Sequence, residues 1–357
     1  NRAGSREDEA IGCRIARGIS GEVPEGDRLG TRDPLYADAA GPAGLLADEN
    51  TVKVIFVTGC EGFVGSYLVK ELRESLYKVE ATCYPLLLPK SGSCKPLDVL
   101  NPDMTKEVLK ESNPDVVFHL AAVSSVSKSM RDASLTYNTN IMGTVNLMEA
   151  VKVLEKKVRF IFISTCEVYG DGGKDITEDA PIVLNNPYAV SKYAAELVCG
   201  EYIKQGLDCV ILRAFTHTGP GQARDFVLPH IAAQVAEIEK NKRPPLVELG
   251  NIDVEREFMN VADVVNAYVK AVDGCEPGDV YNIASGHGYS IRNAVDIFKD
   301  LAKTTFEVKT HASKIRPNDT ARLIGNSAKF SKATGWQPQY KFEKTIEDLL
   351  NYWRAKV

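Results

Sequence analysis

From residue 52 to about residue 213 the chain alternates short, continuous apolar runs with longer segments of helical periodicity. Residues 52–57, Val-Lys-Val-Ile-Phe-Val, read as a buried strand. Thr58-Gly59-Cys60-Glu61-Gly62-Phe63-Val64-Gly65-Ser66 then turns into a helix at about Phe63–Glu74. Further strands are expected at Lys78–Cys83, 115–120, Arg159–Thr165 and 209–213. A long helix is expected over roughly 135–153, and another from Tyr188 to about Gln205. Apolar strands alternating with helices need cover on both faces. The pattern therefore predicts an α/β chain with a Rossmann-type doubly wound parallel sheet. After Gly219-Pro220-Gly221 the alternation loosens, with Pro229, Pro244-Pro245, Pro277 and Pro317 among short elements. A smaller C-terminal α/β substrate lobe over the carboxyl edge of the sheet is expected there. The sheet domain is drawn mainly from 51–215 and the lobe mainly from 216–357, with some elements returning to the sheet.

Residues 1–50 hold eight Gly, a single aromatic residue (Tyr36) and no sustained apolar periodicity. Such a stretch buries little, so a poorly ordered extension is expected, and its acids, Glu7-Asp8-Glu9 among them, speak against a transit peptide. It also carries ten Asp and Glu against six Arg, most of the net charge of −5, which leaves a nearly neutral body. That body offers no basic footprint, so neither nucleic acid nor a membrane surface is an expected partner, and an RNA-binding Rossmann protein is disfavoured. No apolar run approaches spanning length. The eight cysteines are scattered, without a CxxC or a secretory leader, and read as reduced thiols of a cytoplasmic protein. The five histidines have no ligand spacing, so no metal site is expected.

The candidate chemistry centres on Asn186-Pro187-Tyr188-Ala189-Val190-Ser191-Lys192. Residues four apart share a helix face, so the Lys192 ammonium is expected beside the Tyr188 phenol, lowering its pKa and readying it to exchange protons. At the end of the 159–165 strand, Thr165 can hydrogen-bond the oxygen that Tyr188 serves. Cys166 is a candidate proton donor and Glu167 a candidate carbon-acid base; taken singly, they also read as a buried filler and a cap or ion-pair partner. Gly59, Gly62 and Gly65, between strand and helix, fit a dinucleotide pyrophosphate at a helix N-terminus, with Phe63 and Val64 in the same turn. Asp98-Val99 falls where an adenine is held. Thr82-Cys83-Tyr84-Pro85, at the ribose position, offers neither the acid of an NAD site nor the base of an NADP site, so both cofactors stay open.

Residues 51–357 resemble the extended short-chain dehydrogenase/reductase family in its sugar-nucleotide branch. The resemblance rests on the glycine turn, His119-Leu120-Ala121-Ala122, Asn140-x-x-Gly143-Thr144-x-Asn146-Leu147, Glu167-Val168-Tyr169-Gly170 and Asn186-Pro187-Tyr188-x-x-x-Lys192. The later part resembles the GDP-mannose 4,6-dehydratase and GDP-4-keto-6-deoxymannose reductase group. Its matches are His217-x-Gly219-Pro220-Gly221-Gln222, Gly250-Asn251-x-x-x-x-Arg256-Glu257-Phe258, Arg316-Pro317-x-Asp319 and Thr334-Gly335-Trp336-Gln337-Pro338. The resemblance implies Thr165, Tyr188 and Lys192 as the oxidoreductase triad, Tyr188 and Lys192 also as contacts of NAD or NADP, and Leu120, Ala121 and Ala122 as further contacts of it. It implies a GDP-sugar substrate with Arg256 and Arg316 on the diphosphate and Ser124 and Ser125 near the sugar. Thr216 replaces the Asn common before His217, and His217 is expected to order its loop. A homodimer through the helices near 135–153 and 188–205 is expected.

Two reactions of this group fit, and Glu167 leads to 4,6-dehydration of a GDP-hexose such as GDP-mannose as the first expectation. The alternatives are a 4-keto-6-deoxymannose reductase, which needs only the triad, a sugar-nucleotide 5,6-dehydratase, and a non-catalytic dinucleotide-binding regulator. Cys166 departs from the Ser or Asp usual in the dehydratases, and the 51–357 length is closer to the compact reductases.

Overall fold

The computed structural model describes residues 52–84, 94–311 and 321–357. The expected extension at 1–50 and Arg316 lie outside the described residues. In chain order come β1 (Val54–Thr58), α1 (Phe63–Glu74), β2 (Lys78–Cys83), β3 (Lys95–Pro96), α2 (Pro102–Ser112), β4 (Val116–His119), α3 (Val126–Arg131), α4 (Ala133–Tyr137) and α5 (Gly143–Lys152). Then follow β5 (Arg159–Thr165), β6 (Gly173–Ile176), α6 (Pro187–Lys204), β7 (Asp208–Ala214), β8 (His217–Thr218), α7 (Val227–Glu239) and β9 (Leu246–Leu249). The remainder is β10 (Glu255–Arg256), β11 (Met259–Asn260), α8 (Val261–Gly274), β12 (Val280–Ile283), β13 (Tyr289–Ser290), α9 (Ile291–Leu301), β14 (Glu307–Thr310), β15 (Arg322–Gly325), α10 (Ala328–Thr334) and α11 (Phe342–Lys356).

Seven strands form one sheet in the order β12-β7-β5-β4-β1-β2-β3, and every pairing in it is parallel. Successive strand residues point to opposite faces, and here both are apolar. Ile55, Val57, Phe118, Ile161, Val210 and Leu212 pack with Leu68, Leu72 and Tyr268 on the α1/α8 side. Phe56, Val117, Phe160, Phe162 and Ile211 pack with Leu109, Leu147, Met148 and Cys199 on the α2/α5/α6 side. That is why the strands read as continuous apolar runs. The chain order reverses between β1 and β4, whose ends meet with Thr58 opposite His119. Crevices at such a reversal are where doubly wound sheets take ligands.

A second sheet, β13-β10-β15-β6, and two short pairs, β11-β8 and β14-β9, lie among the later elements. Leu228, Ile231, Val235, Phe298, Ile346 and Leu349 from α7, α9 and α11 form a separate core there. Exchange runs both ways, since β12 joins the large sheet and β6 joins the small one.

The single helix expected over 135–153 is broken. A π-helical turn at Asn138–Met142 separates α4 from α5. The extra residue in that turn turns Asn140 inward, where its side chain accepts from Val123 N (2.8 Å) and donates to Val123 O (3.1 Å) and Ser191 Oγ (2.8 Å). Bulges of this kind commonly serve a site rather than the core, and this one joins the segment after β4 to α6. Among the described residues no helix is long and apolar enough to cross a membrane.

Candidate active site

The turn after β1 is shaped by absent side chains. Gly59 has φ +73°, and a Cβ on it would lie 2.9 Å from Ala121 N. A Cβ on Gly65 would lie 2.2 Å from Gly59 O, so only glycine lets α1 seat against its own turn. Helix α1 starts from Gly62 with no side-chain cap and no acid in its first turn, whereas α2 and α6 are capped by Asn101 and Asn186. Uncapped N–H groups and the positive dipole end therefore remain for an anion, which suits a pyrophosphate. Gly65→Ala is expected to lower stability by about 2 kcal/mol or more and to weaken dinucleotide binding. Unchanged thermal unfolding together with unchanged affinity would contradict this packing role.

Beside the turn, His119 is wholly buried between two hydroxyls, and burial pulls its pKa down to about 3. Thr144 Oγ1 donates to Asn140 O (2.7 Å), so it must accept from His119 Nε2–H at 3.1 Å. His119 Nδ1 is then the acceptor for Thr58 Oγ1–H at 3.0 Å. The same Thr58 oxygen accepts from Leu120 N (3.2 Å) and Ala121 N (3.1 Å), fixing the strand end that leads to Ala122. On the other side, Asp98 accepts from Leu100 N (2.9 Å), and Val99 packs against Gly143 while its carbonyl takes Asn146 Nδ2 (2.8 Å).

Asn186 and Pro187 set the start of α6. The Asn186 side chain accepts from Ala189 N (2.8 Å), and a proline at the first helical position lacks only an N–H that would be unpaired there. Tyr188 and Lys192 are thereby placed one turn apart. Tyr188 N donates to Ser129 Oγ (3.2 Å), which ties the helix to α3. Thr165 Oγ1 accepts from Glu167 N (3.2 Å) and turns its proton to the Tyr188 phenol.

One electrostatic expectation is reversed. Burial pushes the Tyr188 phenol above its ordinary value, the Thr165 hydrogen bond offsets this only in part, and Glu167 and Cys166 add to the rise. Lys192 does not counter it, because its Nζ lies over the Phe162 ring, 4.1 Å from the centroid. Burial also lowers the Lys192 pKa to about 8, against the pull of nearby Cys199 and Glu196.

Cys166 is 3% exposed and belongs to the core beneath β5. Burial raises its thiol well above the ordinary value, reinforced by Glu167 and Glu257 and opposed by Arg256 and a hydrogen bond with Thr216. Thr216 and Arg256 thus gather around the residue next to Thr165. Glu167 accepts from Asn186 Nδ2 (3.2 Å) at the start of α6. His217 donates from Nδ1 to Phe215 O (2.8 Å) and stacks near Phe63 at 6.3 Å, and burial lowers its pKa. Ser125 caps α3, accepting from Lys128 N at 3.3 Å, and Ser124 is exposed beside it.

The supports of these groups were not assigned from sequence. Ser129 and Ser191 carry no pattern of their own, and Asn140 and His119 stood in motifs without a role. Glu257, fully buried, accepts from Ser285 N (2.6 Å), Ser285 Oγ (2.9 Å), Gly286 N (3.3 Å) and Gly325 N (2.7 Å), and so ties the residue after Arg256 to the loop that follows β12 and to the end of β15. An acid directly after the candidate diphosphate arginine was the available signal for it.

Residues 56–349 match the family model described as GDP-mannose 4,6 dehydratase. The chain is 34% identical over 307 residues to a GDP-6-deoxy-D-mannose reductase of Pseudomonas aeruginosa, covering 85% of this chain and 98% of the relative. It is 28% identical to the GDP-mannose 4,6-dehydratase sdnI of Sordaria araneosa, over 85% of this chain and 61% of that one. Among solved structures, that of RMD from Pseudomonas aeruginosa complexed with NADPH superposes with a TM-score of 0.77 at 33% identity, covering 86% of this chain and all of the other.

Proposed function

This chain belongs to the family described as GDP-mannose 4,6 dehydratase, and on that premise we propose that it is an NAD(P)H-dependent reductase of a GDP-4-keto-6-deoxyhexose. One observation carries the choice within the family. Identity of 34% runs along 98% of a GDP-6-deoxy-D-mannose reductase, nearly its whole length. This moves the alternative reading of the sequence ahead of the dehydratase.

The glycine turn and the α1 N-terminus would hold the dinucleotide, which would supply hydride chemistry at the sugar C4 carbonyl. Tyr188 gives its phenolic proton to the C4 oxygen, and the raised pKa keeps that proton in place until the oxygen becomes basic. Thr165 hydrogen-bonds the same oxygen or the phenolate left behind. Lys192, whose ammonium lies over the Phe162 ring and does not tune the phenol, acts instead as a contact of the dinucleotide. With the Lys192 pKa at about 8, that ammonium is lost as pH rises through that value. The kcat/KM profile is therefore expected to fall above about pH 8. A profile flat to pH 9.5 or beyond, roughly the ordinary lysine range, would remove Lys192 from this role.

A second reading, 4,6-dehydration, draws on Glu167, whose carboxylate lies close enough to raise the Tyr188 pKa. Loss of an obligatory base costs roughly 10²–10⁴-fold, so Glu167→Gln discriminates: reduction should stay within about tenfold of the unmodified enzyme. The direct test is NAD(P)H oxidation followed at 340 nm in the presence of GDP-4-keto-6-deoxymannose. Cofactor consumption matched by sugar reduced supports the reductase, and an inert ketone would reject it. The partners proposed are this GDP-sugar and a second copy of the chain, which meets the half-exposed Leu135, Met142 and Leu197 around α4 and α6.

A further inference from the structure

Cysteines spread over 35 positions of sequence converge at one edge of the glycine turn. Cys60 lies in the turn itself, and its N–H donates to Thr82 O (3.0 Å). Cys83 ends β2, and Cys94 stands directly before β3, where Leu97 N donates to Cys83 O (2.8 Å). Cys94 Sγ lies 2.6 Å from Cys83 Sγ and 3.7 Å from Glu61 Oε1. Cys60 and Cys83 are 7% and 4% exposed, while Cys94 is partly open to solvent. All are thiols. The end of β2 is the ribose end of a dinucleotide site in a doubly wound sheet.

We propose that Cys83 and Cys94 are a dithiol modification site that takes a low-molecular-weight disulfide as oxidant, closes into an internal disulfide, and thereby weakens dinucleotide binding. The binding half rests on the cofactor placement above. Partly exposed Cys94 is the entry sulfur. It attacks the small disulfide as a thiolate, forming a mixed disulfide and releasing one small thiol. Cys83, losing its proton to water, then attacks Cys94 Sγ and releases the second small thiol. Two protein thiols and one small disulfide thus become one protein disulfide and two small thiols. Burial beside Cys94 pushes the Cys83 and Cys60 thiols up to about 12, which makes Cys83 the slow, resolving sulfur.

The competing use of the cluster is a soft cation on Cys60, Glu61 and Cys94, whose ligand atoms lie within 4.8 Å of one another. Two thiolates on one tetrahedral zinc at about 2.3 Å stand roughly 3.7 Å apart. A cation there would leave out Cys83, whose Sγ lies 2.6 Å from Cys94 Sγ, nearer the covalent bond of about 2.04 Å than that spacing. Closing the bond locks residue 94 to the end of β2, the strand end at which a doubly wound sheet takes the ribose.

The test uses the full chain, reduced or treated with glutathione disulfide and digested without reductant. Trypsin cleaves after Lys90, so the bond is read as a linkage between peptides 79–90 and 91–106. The expected result is that linkage, a loss of two titratable thiols, and dinucleotide Kd at least fivefold weaker, all reversed by dithiothreitol. Cys94→Ser should give one Kd with and without oxidant. Two unchanged thiols without the linked peptides would overturn the proposal, as would one equivalent of zinc in the untreated protein that Cys94→Ser loses. The linkage with an unchanged Kd would overturn its effect on binding. A reduced protein that binds no dinucleotide would overturn the cofactor placement instead, and the peptide map would still judge the disulfide.

Discussion

Tyr188→Phe is expected to lower turnover of the 4-keto sugar by about 10²–10⁴-fold while leaving dinucleotide affinity nearly unchanged. The substitution removes one oxygen and keeps the ring that fills the half-buried site at the start of α6. Helix placement does not depend on the phenol, because the backbone of Tyr188 is held by Ser129 and the cap by Asn186. The Thr165 hydroxyl loses its partner, costing about 1 kcal/mol, yet still accepts from Glu167 N. Catalysis and stability thus separate at this position. Steady-state rates, dinucleotide titration and thermal unfolding of the variant check both halves. Residual activity above about a tenth would exceed the smallest loss expected of a proton donor and would remove Tyr188 from that role.

Glu196→Gln is expected to destabilise the protein by about 3–5 kcal/mol, the usual cost of leaving a buried charge without its counter-ion. The Arg213 and Glu196 side chains are 7% and 4% exposed. Arg213 donates to Glu196 through Nε (3.0 and 3.2 Å) and Nη2 (2.7 Å), and through Nη1 to the Tyr169 hydroxyl (2.9 Å). Tyr169 donates in turn to Asn282 (2.7 Å), and Ser164, next to Thr165, donates to Glu196. The Glu196 carboxylate therefore joins α6, β5 and β7, and through Arg213 and Tyr169 reaches β12, one residue from Thr165 of the proposed triad. Urea unfolding measures the loss, and a change below about 1 kcal/mol, the range of an exposed pair, would show that the network is not cooperative. Glu196 also holds the Lys192 pKa up. The alkaline limb of the rate profile should consequently move to lower pH in the variant.

The large sheet was legible because both its faces are buried. β2 and β5 end where their apolar runs end, and the glycine turn marks the start of α1. The break between α4 and α5 was not legible, since residues 135–153 keep helical periodicity. The π turn answers to partners distant in sequence, Val123 and Ser191. Spacing correctly paired Tyr188 with Lys192 on α6 but gave the wrong electrostatics. Four residues of separation says nothing of the Phe162 ring that receives the ammonium, nor of how far burial outweighs a neighbouring charge. The cysteines looked scattered for a similar reason. Cys60, Cys83 and Cys94 meet only because β1, β2 and β3 are adjacent strands of one sheet. Cys166 stands where a dehydratase usually has Ser or Asp, and its burial beside Thr216 explains how a small apolar residue fits there.

The choice between reduction and dehydration turns on where hydrogen goes. The most direct measurement supplies nicotinamide cofactor deuterated at its transferable position, together with GDP-4-keto-6-deoxymannose, and follows the sugar by mass spectrometry and proton NMR. Reduction predicts one deuterium in the product, located at sugar C4, with one cofactor oxidised per sugar reduced. An untouched ketone, with GDP-mannose losing water and gaining a C6 methyl group on catalytic oxidised cofactor, would contradict it and return Glu167 to the centre of the chemistry.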